Sequence, residues 1–276
     1  MRLNHFIALH SKYSRRESDK LIETGRVRIN QILASRFTNV PTLAIQNPRE
    51  AQKDFRIFID GKLLNYVSGH AKRRWSAIVY HKKKGELVSK VDPRGRPVIY
   101  DSLDSKYAHF MPVGRLDFAS EGLLILSDNR EVVRLLMESS LKRVYLVKID
   151  SVVHQKIIDA MTNGLSLKNS KAGGHALGSS VSMDFPAMDF QILKNGKFSK
   201  LKLSLNQGRN REIRRFFAHF RANVLDLKRV SYGFVSLNAL PLGTTRFFTK
   251  DEYRELKNFM SLQKSNIEIT IKNNTD

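Results

Sequence analysis

The chain has no cysteine in its 276 residues, so it can form no disulfide, offer no thiolate nucleophile and hold no zinc through sulfur. Acidic residues are scarce: 26 Asp and Glu stand against 48 Lys and Arg, a formal net charge of +22. Long apolar runs are missing too. No segment reaches the roughly 18–20 residues that span a bilayer, and no apolar signal-peptide core follows Met1. The eight histidines, among them His5, His10 and His219, show no HExxH or other paired spacing, so no metal site is expected. Gly173-Gly174 lacks the context of a phosphate loop, and no GxSxG elbow occurs. These absences lead to the expectation of a cytoplasmic protein that is not bound to a membrane; a monomer is also expected.

The excess of positive charge makes an acidic polymer the natural partner, because neutralising phosphates releases counterions and drives binding. Nucleic acid is therefore the expected ligand. A hydrophobic content of 41% supports a well-buried core shared by two domains. The expected boundaries are a first domain over 1–64, a basic linker over 65–74, a second domain over 75–255 and a partly disordered tail over 256–276.

In the first domain Leu3, Phe6 and Ile7 recur at helical spacing, and Ser14-Arg15-Arg16-Glu17 is a capping box opening a second helix with Leu21 and Ile22. Gly25 ends that helix. Arg26-Val27-Arg28-Ile29 alternates charged and apolar residues as a half-buried strand does, and Phe55, Ile57 and Ile59 repeat the alternation before an Asp60-Gly61 turn. Basic side chains cluster around the helix and its exit: Lys12, Arg15, Arg16, Lys20, Arg26 and Arg28. Together with Arg2-Leu3-Asn4, Asp19-Lys20-Leu21-Ile22 and Gly25 to Asn30, they resemble an S4 RNA-binding domain. The stretch from Gln31 to Asp54 is long for such a domain and reads as an insertion.

The second domain begins near Trp75, the only tryptophan. Leu123 to Leu126 is a continuous apolar run between Gly122 and Ser127-Asp128-Asn129, the pattern of a fully buried strand. The loop before it is thereby pinned, and it carries Asp117 two positions from Arg115. A carboxylate held near cations stays ionised and can act as a nucleophile or base. Alone, such an aspartate would more often cap a turn. Farther on, Tyr145, Val147 and Ile149 share one strand face, and Leu201, Leu203 and Leu205 alternate with Lys200, Lys202 and Ser204. Strands interleaved with helices, such as the one near 130–139, indicate an α+β or mixed α/β class. A helix from Arg211 to about Arg221 sets Ile213, Phe216, Phe217 and Phe220 on one stripe. Arg214 at its edge can reach a buried acid, while Arg209, Arg211 and Arg215 are expected to remain free for phosphate.

Gly114-Arg115-Leu116-Asp117, Lys142-Arg143-Val144-Tyr145 and Gly208-Arg209-Asn210-Arg211-Glu212-Ile213-Arg214-Arg215 resemble, in order and spacing, motifs of the RsuA/RluB family of ribosomal RNA pseudouridine synthases. So do Gly85 to Ser89, Asp92 to Pro97 and Leu227 to Gly233; the resemblance spans residues 1 to about 250. It implies an α+β fold, in which a small ααβ S4-like domain precedes a catalytic domain on a mixed, mainly antiparallel sheet. It implies Asp117 as the catalytic aspartate, Tyr145 stacked on the target base and Arg214 as the ionic partner of Asp117. Expected RNA contacts are Arg15, Arg16, Lys20, Arg26, Arg28, Arg115, Arg209, Arg211, Arg215 and Arg229. The reaction cuts the bond from ribose to N1 of uracil, turns the base and rejoins it through C5 without a cofactor. Asp117 either attacks the anomeric carbon or removes a ribose proton; both routes stay open at this point. The target must be flipped out of its helix to be reached. Asp92 to Pro97 looks more like the large-subunit branch, which points to 23S rRNA. Two alternatives stand beside it: a 16S rRNA enzyme, and a non-catalytic ribosome-assembly factor. Lys83 (where proline commonly follows the lysine), Ser120 (commonly threonine) and Asn206-Gln207 (commonly acidic) depart from the family pattern and read as surface or loop changes.

Overall fold

The computed structural model describes residues 1–11, 13–66, 75–170 and 181–273. Lys12, most of the expected linker, Gly173-Gly174 and the last three residues of the expected tail lie outside them. The chain divides into two units, Met1–Arg74 and Trp75–Asp276.

In the first unit α1 (Leu3–His10) buries Leu3, Phe6 and Ile7. Its neighbour α2 (Arg15–Glu23) starts from the capping box: Glu17 N donates to Ser14 Oγ at 3.2 Å, and Ser14 N donates to the Glu17 carboxylate at 2.6 Å. Gly25 ends the helix with φ +68°, a conformation costly for other residues. Then follow β1 (Val27–Ile29), β2 (Ile32–Leu33), α3 (Thr42–Gln46), α4 (Pro48–Asp54), β3 (Ile57–Ile59) and β4 (Lys62–Leu63). The strands form one sheet in the order β2-β1-β3-β4. The long stretch between β1 and β3 thus supplies an edge strand and two short helices, and buries Val40, Ala44 and Ala51 in the same core as Leu3 and Ile57.

The second unit contains β5 (Ala77–Lys82), α5 (Ile99–Ser102), β6 (Met111–Pro112), β7 (Glu121–Ser127), α6 (Arg130–Glu138), β8 (Arg143–Ile149) and α7 (Gln155–Asn163). It continues through β9 (Leu165–Ser170), β10 (Val181–Phe185), β11 (Asp189–Lys194), β12 (Ser199–Leu205), α8 (Glu212–His219), β13 (Val224–Tyr232), β14 (Val235–Ser236), β15 (Thr245–Phe247) and α9 (Lys250–Asn273). Nine strands make one mixed sheet with the path β11-β12-β8-β13-β7-β5-β15; β14 joins β13 and β6 joins β7. The β13–β7 pairing is parallel and is held by two register pairs, Lys228↔Glu121 and Arg229↔Gly122. Its neighbours β13–β8 and β5–β7 are antiparallel and longer. The sheet is therefore two antiparallel halves joined at a narrow seam. Gly122 makes that seam possible: its φ is +113°, and a Cβ there would lie 2.2 Å from the Arg229 carbonyl oxygen. One apolar cluster packs Tyr145, Val147, Leu201 and Leu203 against Phe216 and Phe217 of α8. Another gathers Ala77, Leu123, Val132 and Leu136 with Leu256 of α9.

The expected tail from residue 256 is instead the body of α9. Leu256 is fully buried, and Phe259 and Met260 pack against its cluster. Thr249 and Glu252 start this helix with a capping box of their own, at 2.8 and 3.2 Å. Tyr253, Leu256 and Met260 recur at i, i+3 and i+7, a stripe masked by the polar residues around it. Among the described residues no helix is long and apolar enough to cross a membrane.

Candidate active site

The loop between β6 and β7 is shaped by its own residues before anything packs on it. Gly114 takes φ +72°, Ser120 N donates to the Asp117 carbonyl at 3.0 Å to close a turn, and Leu116 buries itself beside Tyr145 and Ile213. Beneath the turn lies Lys82, the last residue of β5 and fully buried. Its Nζ donates to the carbonyls of Lys83 at 2.8 Å, Ser120 at 2.8 Å and Asp117 at 3.2 Å. One ammonium thus ties both ends of the Asp117 turn to the sheet, using all three of its donors. Burial pulls the Lys82 amine down to about 8, against the attraction of Glu86, Asp117 and Glu121.

The Asp117 side chain is 28% exposed and faces two guanidinium groups, Arg214 Nε at 3.6 Å and Arg211 Nη1 at 3.8 Å. Both come from the start of α8. Arg211 stands at its N-cap in the left-handed conformation, φ +52°, which swings the chain so that residues 211 and 214 converge on one carboxylate. Arg214 is fixed further by Nη1 donating to the Val224 carbonyl at 2.9 Å and by longer contacts, 3.4 Å each, to Ala119 O and Ser120 Oγ. Burial lowers the basicity of Arg214 and the nearby Asp117 carboxylate opposes that effect. Glu212, also buried, accepts from Arg209 N at 3.0 Å and pairs with Arg209 Nε at 3.4 Å.

A cleft of about 190 Å³ opens beside Asp117 where the two halves of the sheet meet, lined by Leu116, Tyr145, Arg209, Arg211, Ile213 and Arg229 among others. Tyr145, on β8, is 7% exposed and belongs to the same apolar cluster as Leu116 and Leu227. Asp117, Tyr145, Arg214, Arg209 and Arg211 are thus gathered in one place from three separated segments. Arg115 is exposed on the same loop.

Three expectations change. Arg215 is not free for phosphate: it is buried, with Nε donating to the Asn210 carbonyl at 3.2 Å. Arg211 is engaged with Asp117 rather than free. Arg229 is 3% exposed at the back of the cleft; its Nε donates to Leu123 O at 2.8 Å, and its Nη2 is buried without a hydrogen-bond partner among the described residues. Ser120 lies in the loop, as expected of a surface or loop change, but is buried among the Arg214 and Lys82 contacts. The first-unit candidates Arg15, Arg16, Lys20, Arg26 and Arg28 are all exposed, and Arg26 forms a two-pronged pair with Asp60 at 2.6 Å per contact.

Sequence reasoning missed Lys82 and Arg143. Lys82 sits in the run His81 to Lys84, which looks like a solvated basic patch. The signal was its place at the end of an apolar strand, all of which is buried. Arg143 is buried at the start of β8, donating to Tyr232 Oη at 2.6 Å and to Asn206 O at 2.8 Å, so it ties the loop before α8 to the sheet.

A family model described as RNA pseudouridylate synthase matches residues 76–219. The chain is 48% identical over 263 residues to an uncharacterized RNA pseudouridine synthase of Helicobacter pylori (strain ATCC 700392 / 26695), covering 95% of each. It is 30% identical over 250 residues to the ribosomal large subunit pseudouridine synthase B of Escherichia coli (strain K12), covering 88% of this chain and 77% of that one. The Bacillus subtilis (strain 168) protein of the same description is 25% identical over 260 residues, covering 93% and 95%. A crystal structure of a pseudouridylate synthase shares the fold, with a TM-score of 0.59 and 23% identity over 93% of this chain and 99% of that one.

Proposed function

The chain belongs to the RNA pseudouridylate synthase family, and from that membership we propose that it isomerises a specific uridine of large-subunit ribosomal RNA, with Asp117 as the catalytic group. The reading is carried by one observation: a partly open carboxylate in a pinned loop, at the edge of a cleft, facing two guanidinium groups at 3.6 and 3.8 Å. The large-subunit assignment is supported by the similarity to synthases of that description in Escherichia coli and Bacillus subtilis.

In this reading the target nucleotide leaves its helix and its uracil lies against the ring of Tyr145. The glycosidic bond between C1′ and N1 breaks, the uracil turns within the cleft, C5 bonds to C1′, and the C5 proton is lost as N1 regains one. Asp117 serves either by attacking C1′ or by taking a ribose proton; each route needs its carboxylate oriented, which Arg211 and Arg214 provide. The first unit is proposed to be an S4-like RNA-binding domain, presenting Arg15, Arg16 and Lys20 from α2, with Arg26 and Arg28 beside it.

The test is ribosomal RNA from cells lacking this protein, mapped for pseudouridine by carbodiimide-dependent reverse-transcription stops, with wild-type and Asp117→Asn genes returned on plasmids. One 23S position is expected to lose its stop and regain it only with the wild-type gene. In vitro, Asp117→Asn should slow isomerisation by about three orders of magnitude or more with an unchanged melting temperature. Full modification by the variant would remove Asp117 from the chemistry, and a lost site in 16S rRNA would move the substrate to the small subunit.

A further inference from the structure

The half of the sheet formed by β11, β12, β8 and β13 has one covered face and one open face. On β12 the residues Leu201, Leu203 and Leu205 are buried while Lys200 and Lys202 are exposed. On β8 the residues Tyr145, Val147 and Ile149 are buried, with Leu146 and Lys148 between them. Alternation along a strand sends neighbours to opposite faces, so these lysines lie across the sheet from Tyr145 and its apolar cluster. The register then sets like charges directly opposite one another: Lys194 faces Lys200, and Lys200 faces Lys148. In the adjacent row Lys202 and Lys228 flank Leu146. Asp226 faces Lys148, but its carboxylate is bonded to Lys84.

Like charges directly opposite across strands destabilise a sheet, so this arrangement costs folding energy that a mixed polar face would not. Defence of a sheet edge explains lysine on an edge strand, and β11 is one. It does not explain Lys200 on β12 or Lys148 on β8, which are both interior. Beside the row stands Phe198, 46% exposed, with the Lys148 and Lys197 ammonium groups 5.5 and 5.8 Å from its ring centre. Strands lie about 4.7–4.9 Å apart, so the row presents closely spaced positive charges next to an open aromatic ring. Phosphates need the first and an unpaired base stacks on the second.

We propose that this lysine face docks the backbone of RNA away from the cleft, holding a part of the substrate that is not itself modified. The inference rests on the RNA reading above for its ligand and adds a second, separate contact surface. The probes are in vitro transcripts of 23S and 16S rRNA, titrated by filter binding at several salt concentrations with the full-length wild type and with Lys148→Ala/Lys200→Ala/Lys202→Ala. On the transcript that the wild type binds more tightly, the salt slope of the triple variant should be shallower by about 2 to 3, from roughly 0.7–0.9 per lost phosphate contact. The variant's melting temperature should be equal or higher, since the opposed charges are gone; this keeps a loss of binding distinct from a loss of folding. Turnover at saturating RNA should be unchanged while KM rises. A slope equal to the wild type's overturns the docking surface and leaves the substrate reading intact, whereas preference for 16S overturns the large-subunit reading and still scores the surface. An unchanged RNA slope together with lysine-dependent binding to phosphatidylglycerol vesicles would assign the face to a membrane and also overturn it.

Discussion

At the residue scale the shape of the Asp117 loop depends on a lysine buried beneath it. Lys82 spends its three donors on three backbone carbonyls around the loop, and burial lowers its amine from the ordinary 10.5 to about 8. Below pH 8 both the folded and unfolded chains carry the proton, and the cost of burying the charge is fully present. Between about 8 and 10.5 the unfolded chain keeps a proton that the folded chain has released, so the contribution of Lys82 to stability rises with pH in that window. Activity should move in the opposite direction, because a neutral amine has one donor fewer for the loop. Urea unfolding of wild type and Lys82→Met at pH 7.5 and pH 10 checks the first part: the stability difference, wild type minus variant, should become more favourable to the wild type at the higher pH. A pH–rate profile checks the second, with a wild-type fall above about pH 8 that is absent from the already slower variant. A pH-independent stability difference would show that Lys82 does not titrate in that window.

At the scale of elements the seam between β13 and β7 decides where the cleft lies. Gly122 lets the Arg229 backbone approach so closely that no side chain fits between them. Gly122→Ala should cost at least about 2 kcal/mol, through both the clash and the positive φ, and should lower activity in the surviving folded protein because Arg229 and the loop flank the same seam. Denaturant unfolding followed by single-turnover assay of the folded fraction measures both. Helix α9 belongs to the core of the second unit, so Leu256→Ala should destabilise by roughly 2–5 kcal/mol without altering the salt dependence of RNA binding. A melting curve that matches the wild type's would return residues beyond 255 to the status of a tail.

At the scale of the whole molecule, a net charge of +22 favours attraction of a polyanion through many basic residues at once. Arg15→Ala/Arg16→Ala, on the exposed start of α2, should weaken binding to ribosomal RNA across sequences and reduce the salt slope by about 1 to 2 while leaving the turnover rate at saturating RNA unchanged. Equilibrium binding at several salt concentrations, paired with saturating kinetics, separates the two effects. A fall in turnover with an unchanged slope would place these arginines in positioning rather than in attraction.

The sequence by itself determined the local features whose causes are local. The capping box at Ser14, the buried run Leu123 to Leu126, the alternation on β8 and β12 and the apolar stripe of α8 each follow from neighbours a few residues apart, and each is present in the structure. The motif order singled out Asp117, Tyr145 and Arg214, and the fold brings Asp117 and Tyr145 to one cleft with Arg214 beside the carboxylate. Only the tertiary structure decided which cations are available. Arg215 and Arg229 look like Arg209 in the sequence, but packing buries them, and Lys82 disappears beneath a loop thirty-five residues away. Strand register alone shows that Lys194, Lys200 and Lys148 stand in one row. The burial of a charge depends on what folds over it from distant parts of the chain, and residue type and spacing carry no record of that.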